Sequence, residues 1–102
     1  MILTDKCLAD FTNWVYDSYT YTIHTFEKNV RRTFKDAILL EFFSLKGLYI
    51  DRLTYDDKLQ IWDYIEDEPT DCVEIDLSYI DRVDHYDEGF EKANELYNEK
   101  HK

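Results

Sequence analysis

The sequence predicts an α+β domain: a three-stranded antiparallel meander covered on one face by three helices, in the order α-α-β-β-β-α. Three observations carry this. Apolar residues recur every three to four positions over residues 4–19 and again over 27–46. From Leu48 the period falls to two, with turn-forming residues between the runs. After about Asp84 the helical spacing returns. Helices with one apolar stripe and strands with one apolar face must cover each other, so a helix layer over one side of the sheet follows. At 102 residues the chain has the length of one domain, 1–102.

In the first helix, Cys7, Leu8, Phe11, Trp14 and Val15 share a face. Thr4 is the expected N-cap and Asp5 an acid in the first turn, where the helix dipole favours negative charge. Residues 20–25, TYTIHT, read as an extended connector. The second helix, 27–46, has Val30, Phe34, Ala37, Ile38, Phe42 and Leu45 as its buried stripe, widened by Leu39 and Phe43. It is the most hydrophobic element and belongs at the centre of the core. Gly47 sits where a helix commonly ends in a left-handed residue.

The strands follow as 48–55, 58–66 and 71–77, with turns at Asp56-Asp57 and at 67–70. In the last helix, Tyr86, Phe90, Ala93, Leu96 and Tyr97 share a face. Asp84, Asp87 and Glu88 enrich its start and Lys100 and Lys102 its end, in keeping with the dipole.

Hydrophobic residues at 44% and aromatics at 17% suffice for a packed core. No apolar run reaches the roughly 18 residues that span a bilayer, and Met1 leads into ILTDKC without a signal-like segment. A soluble protein of the compartment of its synthesis is expected. Cys7 and Cys72, outside any CxxC, read as reduced core thiols.

The formal charge is −11 and it is unevenly distributed. Residues 1–50 balance six acids with six bases, whereas 51–91 hold fifteen acids against Arg52, Lys58 and Arg82, net −12. A field of that sign repels nucleic acid and anionic membranes and attracts basic protein surfaces.

The densest part is DYIEDEPTDCVEID, residues 63–76, with seven carboxylates and no base. If Ile61, Ile65, Val73, Ile75 and Leu77 face the helices, Gln60, Trp62, Tyr64, Glu66, Glu74 and Asp76 face outward, joined by Tyr49 and Asp51. That register requires an odd number of residues in the second turn; a slip by one would turn Trp62 and Tyr64 inward. The outward set reads either as an ordinary solvated sheet face or as a recognition surface, because aromatics are enriched at interfaces and carboxylates steer basic partners. Alternate residues on a strand lie roughly 6.8 Å apart, so Glu74 and Asp76 repeat negative charge at a spacing near that of backbone phosphates. A calcium loop fits poorly: DYIEDEPTDCVE has Glu at its twelfth position but lacks the required Gly.

Asp81, Asp84, His85 and Glu88 resemble a carboxylate–histidine metal set, but acids at a helix start are expected anyway. RRTFK (31–35), with Lys28, reads as a solvated helix face. No phosphate loop, GxSxG or HExxH occurs, so no catalytic residue, cofactor or metal is expected.

EFFSLKGLYID (41–51), WDYIE (62–66) and EKANELYNEKH (91–101) together resemble short proteins encoded by phages and mobile elements of gut-type and related bacteria. The resemblance implies a phage or mobile-element origin and a prior toward host takeover or counter-defence. The expected function is a non-enzymatic, anti-CRISPR-like inhibitor in the host bacterial cytoplasm. It would occupy a basic surface of a host protein or ribonucleoprotein through Tyr49, Asp51, Trp62, Tyr64, Glu66, Glu74 and Asp76. The alternatives are a virion or regulatory accessory acting as a homo-oligomer, and an immunity protein against a basic nuclease toxin.

Overall fold

The computed structural model describes residues 3–18, 32–53, 55–78 and 86–102, the side chains of residues 18 and 32–35 excepted. The expected connector at 20–25, Val30, the basic Arg31 and the set Asp81, Asp84 and His85 lie outside the described residues. The elements are α1 (Asp5–Ser18), α2 (Arg32–Leu45), β1 (Leu48–Leu53), β2 (Lys58–Ile65), β3 (Glu68–Asp76) and α3 (Tyr86–Lys100). The strands form one antiparallel sheet in the order β1-β2-β3, with the helices packed on one side. The α-α-β-β-β-α order and the α+β class are as the periodicity predicts. Among the described residues no helix is long and apolar enough to cross a membrane.

The core is aromatic and centres on α2. Phe42 and Phe43 are wholly buried; Phe42 meets Phe11 of α1 edge-on at 5.2 Å and Tyr97 of α3 at 5.8 Å. Phe43 stacks on Phe90 of α3 at 6.3 Å. The sheet adds Leu48 and Ile61, with Ile50 and Ile75 packed beside them. The stripe of α2 is narrower than expected. Among its described side chains Ile38, Leu39, Phe42 and Phe43 fill it, while Ala37 is exposed and Leu45 is 64% exposed; the expected Phe34 lies outside the described side chains. At 100° per residue Ala37 stands about 170° from the stripe's centre and Leu45 about 90°. Leu8 is likewise at the edge of α1's stripe and exposed.

Gly47 ends α2 with φ 81°, and its N–H donates to the Ser44 carbonyl at 3.0 Å. Its own carbonyl accepts the Tyr64 N–H at 2.8 Å, and a Cβ here would lie 2.7 Å from the Tyr64 carbonyl oxygen. The helix stop and the start of β1–β2 pairing are therefore one feature, which only glycine satisfies. Gly89 allows a second close approach, since a Cβ would meet Leu59 at 3.1 Å and Ile50 at 3.2 Å where α3 crosses the sheet.

The β2–β3 register depends on an irregularity rather than on an odd turn. The turn itself is two residues, Glu66 (φ 50°) and Asp67 (φ 66°), both left-handed as in a type I′ hairpin. Left alone, it would pair Ile61 with Cys72 and place the aliphatic rows on opposite faces. A register shift after Asp63 pairs Tyr64 with Pro69 but Asp63 with Asp71, so Thr70 is the unpaired extra residue. Ile61 then meets Val73 and Leu59 meets Ile75. The strand boundaries move accordingly: β3 begins at Glu68, three residues earlier than expected, and β1 ends at Leu53 with a longer connection to β2. Ile65 shares the inward parity of Ile61 but is 57% exposed. Asp63, two residues earlier, already meets Lys100 at the last residue of α3, at 2.7 Å, so Ile65 projects past the helix end.

Candidate functional site

The register fixes which side chains reach the side of the sheet that no helix covers among the described residues. Tyr49 pairs with Trp62 and Trp62 with Cys72, giving one cross-strand row. Asp51, Gln60 and Glu74 form the next row, and Leu53, Lys58 and Asp76 the third. Tyr64 continues the aromatic end, its ring 4.8 Å from Tyr49 and edge-on to it. Six of the seven residues expected on this surface, Tyr49, Asp51, Trp62, Tyr64, Glu74 and Asp76, thus share one face. Glu66 does not, because it occupies the hairpin turn and is exposed beyond the strand end.

The face is ordered by its own side chains. The Trp62 indole N–H donates to Gln60 Oε1 at 3.2 Å, and Gln60 Nε2 donates to Glu74 Oε1 at 2.9 Å. The other Glu74 oxygen lies 3.7 Å from Lys58 Nζ. Asp76 accepts from both the N–H and the hydroxyl of Ser78, at 2.9 and 2.6 Å, and these bonds hold its carboxyl below the usual carboxylate range. Asp51 is exposed and has no hydrogen-bond or ion-pair partner among the described residues. Only two of the seven acids of 63–76 belong to this face. Asp63 is taken by Lys100 on the helix side, Asp71 Oδ1 accepts the Cys72 N–H, and Glu66, Asp67 and Glu68 cluster at the hairpin tip.

Cys72 also lies here, half-buried beside Trp62, which corrects the expectation of a core thiol. Partial burial and then the charges of Glu74 and Asp71 push its thiol up. Cys7 is the core cysteine; burial, with a smaller contribution from Asp10, pushes it up to about 12. Both shifts run away from the thiolate form that nucleophilic chemistry uses. Among the described residues no group of three or more His, Cys, Asp and Glu side chains is placed to hold a metal ion.

A polar clasp between α1 and α3 had no place in the sequence reading. Asn94, almost wholly buried, accepts the Thr4 N–H at 2.9 Å and donates to the Thr4 hydroxyl at 3.1 Å. Asn98 accepts the Cys7 N–H at 2.8 Å and donates to the Thr4 carbonyl at 3.1 Å. The first turn of α1 is thus capped by carboxamides from another helix, and the Thr4 hydroxyl serves that junction. One turn further, the Tyr97 hydroxyl donates to Asp10 Oδ2 at 2.5 Å, and Lys6 pairs with the other oxygen at 3.0 Å. The Tyr97 bond, then Lys6, hold the Asp10 carboxyl below its ordinary range. Burial and the same bond raise the Tyr97 hydroxyl. The signal in the sequence was two asparagines four apart in a helix, where poor helix formers need a reason. An open cleft of about 560 Å³ beside this clasp is lined by Thr4, Asn94 and Asn98 with flanking charges. Those three side chains are engaged with one another.

No protein-family model, no curated protein and no solved structure matches this chain. The fold and the site therefore define it at the level of class: an α+β domain whose sheet has one face covered by α1, α2 and α3 and one that no helix covers among the described residues.

Proposed function

We propose that this chain is a small, acidic, non-enzymatic binding protein that docks the sheet face opposite α1, α2 and α3 on a basic surface of a host nucleic-acid-handling or defence complex. The observation that carries the reading is the composition of that face: Tyr49, Trp62 and Tyr64 packed beside Asp51, Glu74 and Asp76, with Lys58 already drawn to Glu74. Aromatics supply desolvatable contact area at low entropic cost, and carboxylates steer a basic partner. The exposed acids of the hairpin tip, Glu66 among them, extend the field beyond the face. Inhibition in the host bacterial cytoplasm and a phage or mobile-element origin rest on the resemblance of residues 41–51 and 91–101 to proteins of that source. Such a protein acts as an anti-CRISPR-like inhibitor, an imitation of nucleic acid being one way to hold a basic groove.

Assembly into a homo-oligomer through the sheet is the weaker reading. The β3 edge carries Glu68, Pro69, Glu74 and Asp76, and a second copy brought edge to edge would meet like charge and a missing donor. An immunity protein against a basic nuclease would use the same face, and the identity of the captured partner separates it from a defence inhibitor.

The test is kinetic. A partner recovered from host lysate by the wild-type protein is purified and its association measured across salt concentrations. Neutralising Glu66, Glu74 and Asp76 to Gln, Gln and Asn should slow association about tenfold at low salt and flatten its salt dependence. Unchanged association rates at every salt concentration would leave the face as a merely wet surface.

A further inference from the structure

Resting on the docking reading above, we propose that the outer face selects arginine over lysine on its partner, seating a guanidinium against Trp62 and Tyr49 with its fork toward Asp51. The Trp62 indole N–H is consumed by Gln60, so toward a partner this residue presents only π surface. Tyr49 and Tyr64 hold each other edge-on at 4.8 Å, and Tyr49 remains 45% exposed. Of the acids, Glu74 is engaged by Gln60 and neighbours Lys58, and Asp76 is engaged by Ser78. Asp51 alone among these three keeps its whole carboxylate free of partners among the described residues.

The register puts these unsatisfied capacities side by side. Asp51 is two residues from Tyr49 on β1, roughly 6.8 Å along the strand. Tyr49 in turn pairs directly with Trp62. A free carboxylate next to a fixed aromatic surface calls for a cation that is planar, weakly hydrated and able to donate two parallel hydrogen bonds. Guanidinium has all three properties, and it stacks while its N–H groups reach the carboxylate. An ammonium satisfies the carboxylate only by giving up hydration, and gains less from the rings.

The experiment compares two fluorescent peptides against the whole protein: a short peptide alternating arginine with serine, and the same peptide with every arginine replaced by lysine. The expected result is about tenfold tighter binding of the arginine peptide near physiological salt, where the purely Coulombic share is screened. Trp62→Ala should bring the arginine peptide down to the lysine level while leaving the lysine peptide nearly unchanged. Asp51→Asn, a surface change that preserves the fold, should remove most of the same difference. Affinities equal within about twofold would overturn the selection and leave the docking reading standing. An arginine preference that survives both substitutions would overturn the seat. Failure of both peptides to bind at low salt would overturn the seat and the docking reading together.

Discussion

The two faces of the sheet are built from the same three strands, in alternating residues, and they are held by different physics. On the inner face Leu48, Leu59 and Ile61 are almost wholly buried; Leu48 and Ile61 pack into the aromatic core and Leu59 lies against Gly89 of α3. Their contribution is area removed from water and close packing, which offer no charge to titrate or to screen. On the outer face the order comes from directed contacts: Trp62 to Gln60, Gln60 to Glu74, Glu74 near Lys58, Tyr49 against Tyr64. Such contacts, half in water, add little to stability. The comparison teaches that the inner face specifies the fold, and that the outer face has a geometry stability does not require.

The comparison breaks most sharply at Phe42. This ring touches Phe11, Trp14, Phe43 and Tyr97, so it joins α1, α2 and α3. Phe42→Ala removes it from a site with no exposure and should destabilise the protein by about 3–5 kcal/mol through lost burial and a cavity. Chemical denaturation gives the value. A loss below about 1 kcal/mol would mean that the core repacks around α2 and is not organised by it.

Legibility in the sequence follows the same division. Burial leaves a periodic trace, so Phe11, Phe42, Phe43, Phe90 and Tyr97 could be placed from spacing alone, as could the antiparallel order. What the period cannot give is which residue absorbs an irregularity. The requirement for one odd residue between β2 and β3 was readable; that Thr70 supplies it as a bulge, after a two-residue turn at Glu66-Asp67, was not. Glu-Asp lacks the Asn-Gly signature of such a turn, so the sequence pointed to the following Pro69 and Thr70 instead. For that reason Glu66 was placed on the face and Ile65 in the core. The outer-face set was legible because parity carries six of its residues outward at once. The Asn94–Thr4–Asn98 clasp was not, since its partners stand some ninety residues apart and hydrogen bonding between distant elements leaves no period.

That clasp lies between the two extremes and is the next largest effect. Its bonds are directed like those of the outer face, yet Asn94 is buried. Asn98→Ala strands the Cys7 N–H in the first turn of α1, and the expected loss is about 1–2 kcal/mol, the size of a lost helix cap. Amide exchange sharpens the test. Protection should fall at Cys7 and its neighbours in α1 while the β1–β2 amides stay near wild type, because the sheet does not depend on this junction. A uniform loss across both elements would show α1 and the sheet to be one cooperative unit.

The smallest effect is expected where the charge is greatest. Glu66, Glu74 and Asp76 are exposed, and like carboxylates along one hairpin repel weakly through water. Changing them to Gln, Gln and Asn removes that repulsion, together with the Lys58–Glu74 approach and the full strength of the Ser78 bonds to Asp76. The Gln60 bond to residue 74 survives, since a carboxamide oxygen accepts as a carboxylate does. Gains and losses oppose each other, so unfolding free energy should stay within about 0.5 kcal/mol of wild type, although three of the chain's 23 acids are gone. Denaturant midpoints at low and at high salt provide the measurement, and wild type and variant should converge as salt rises. A loss above about 2 kcal/mol would make these acids part of what specifies the hairpin, and the two faces would no longer be separable.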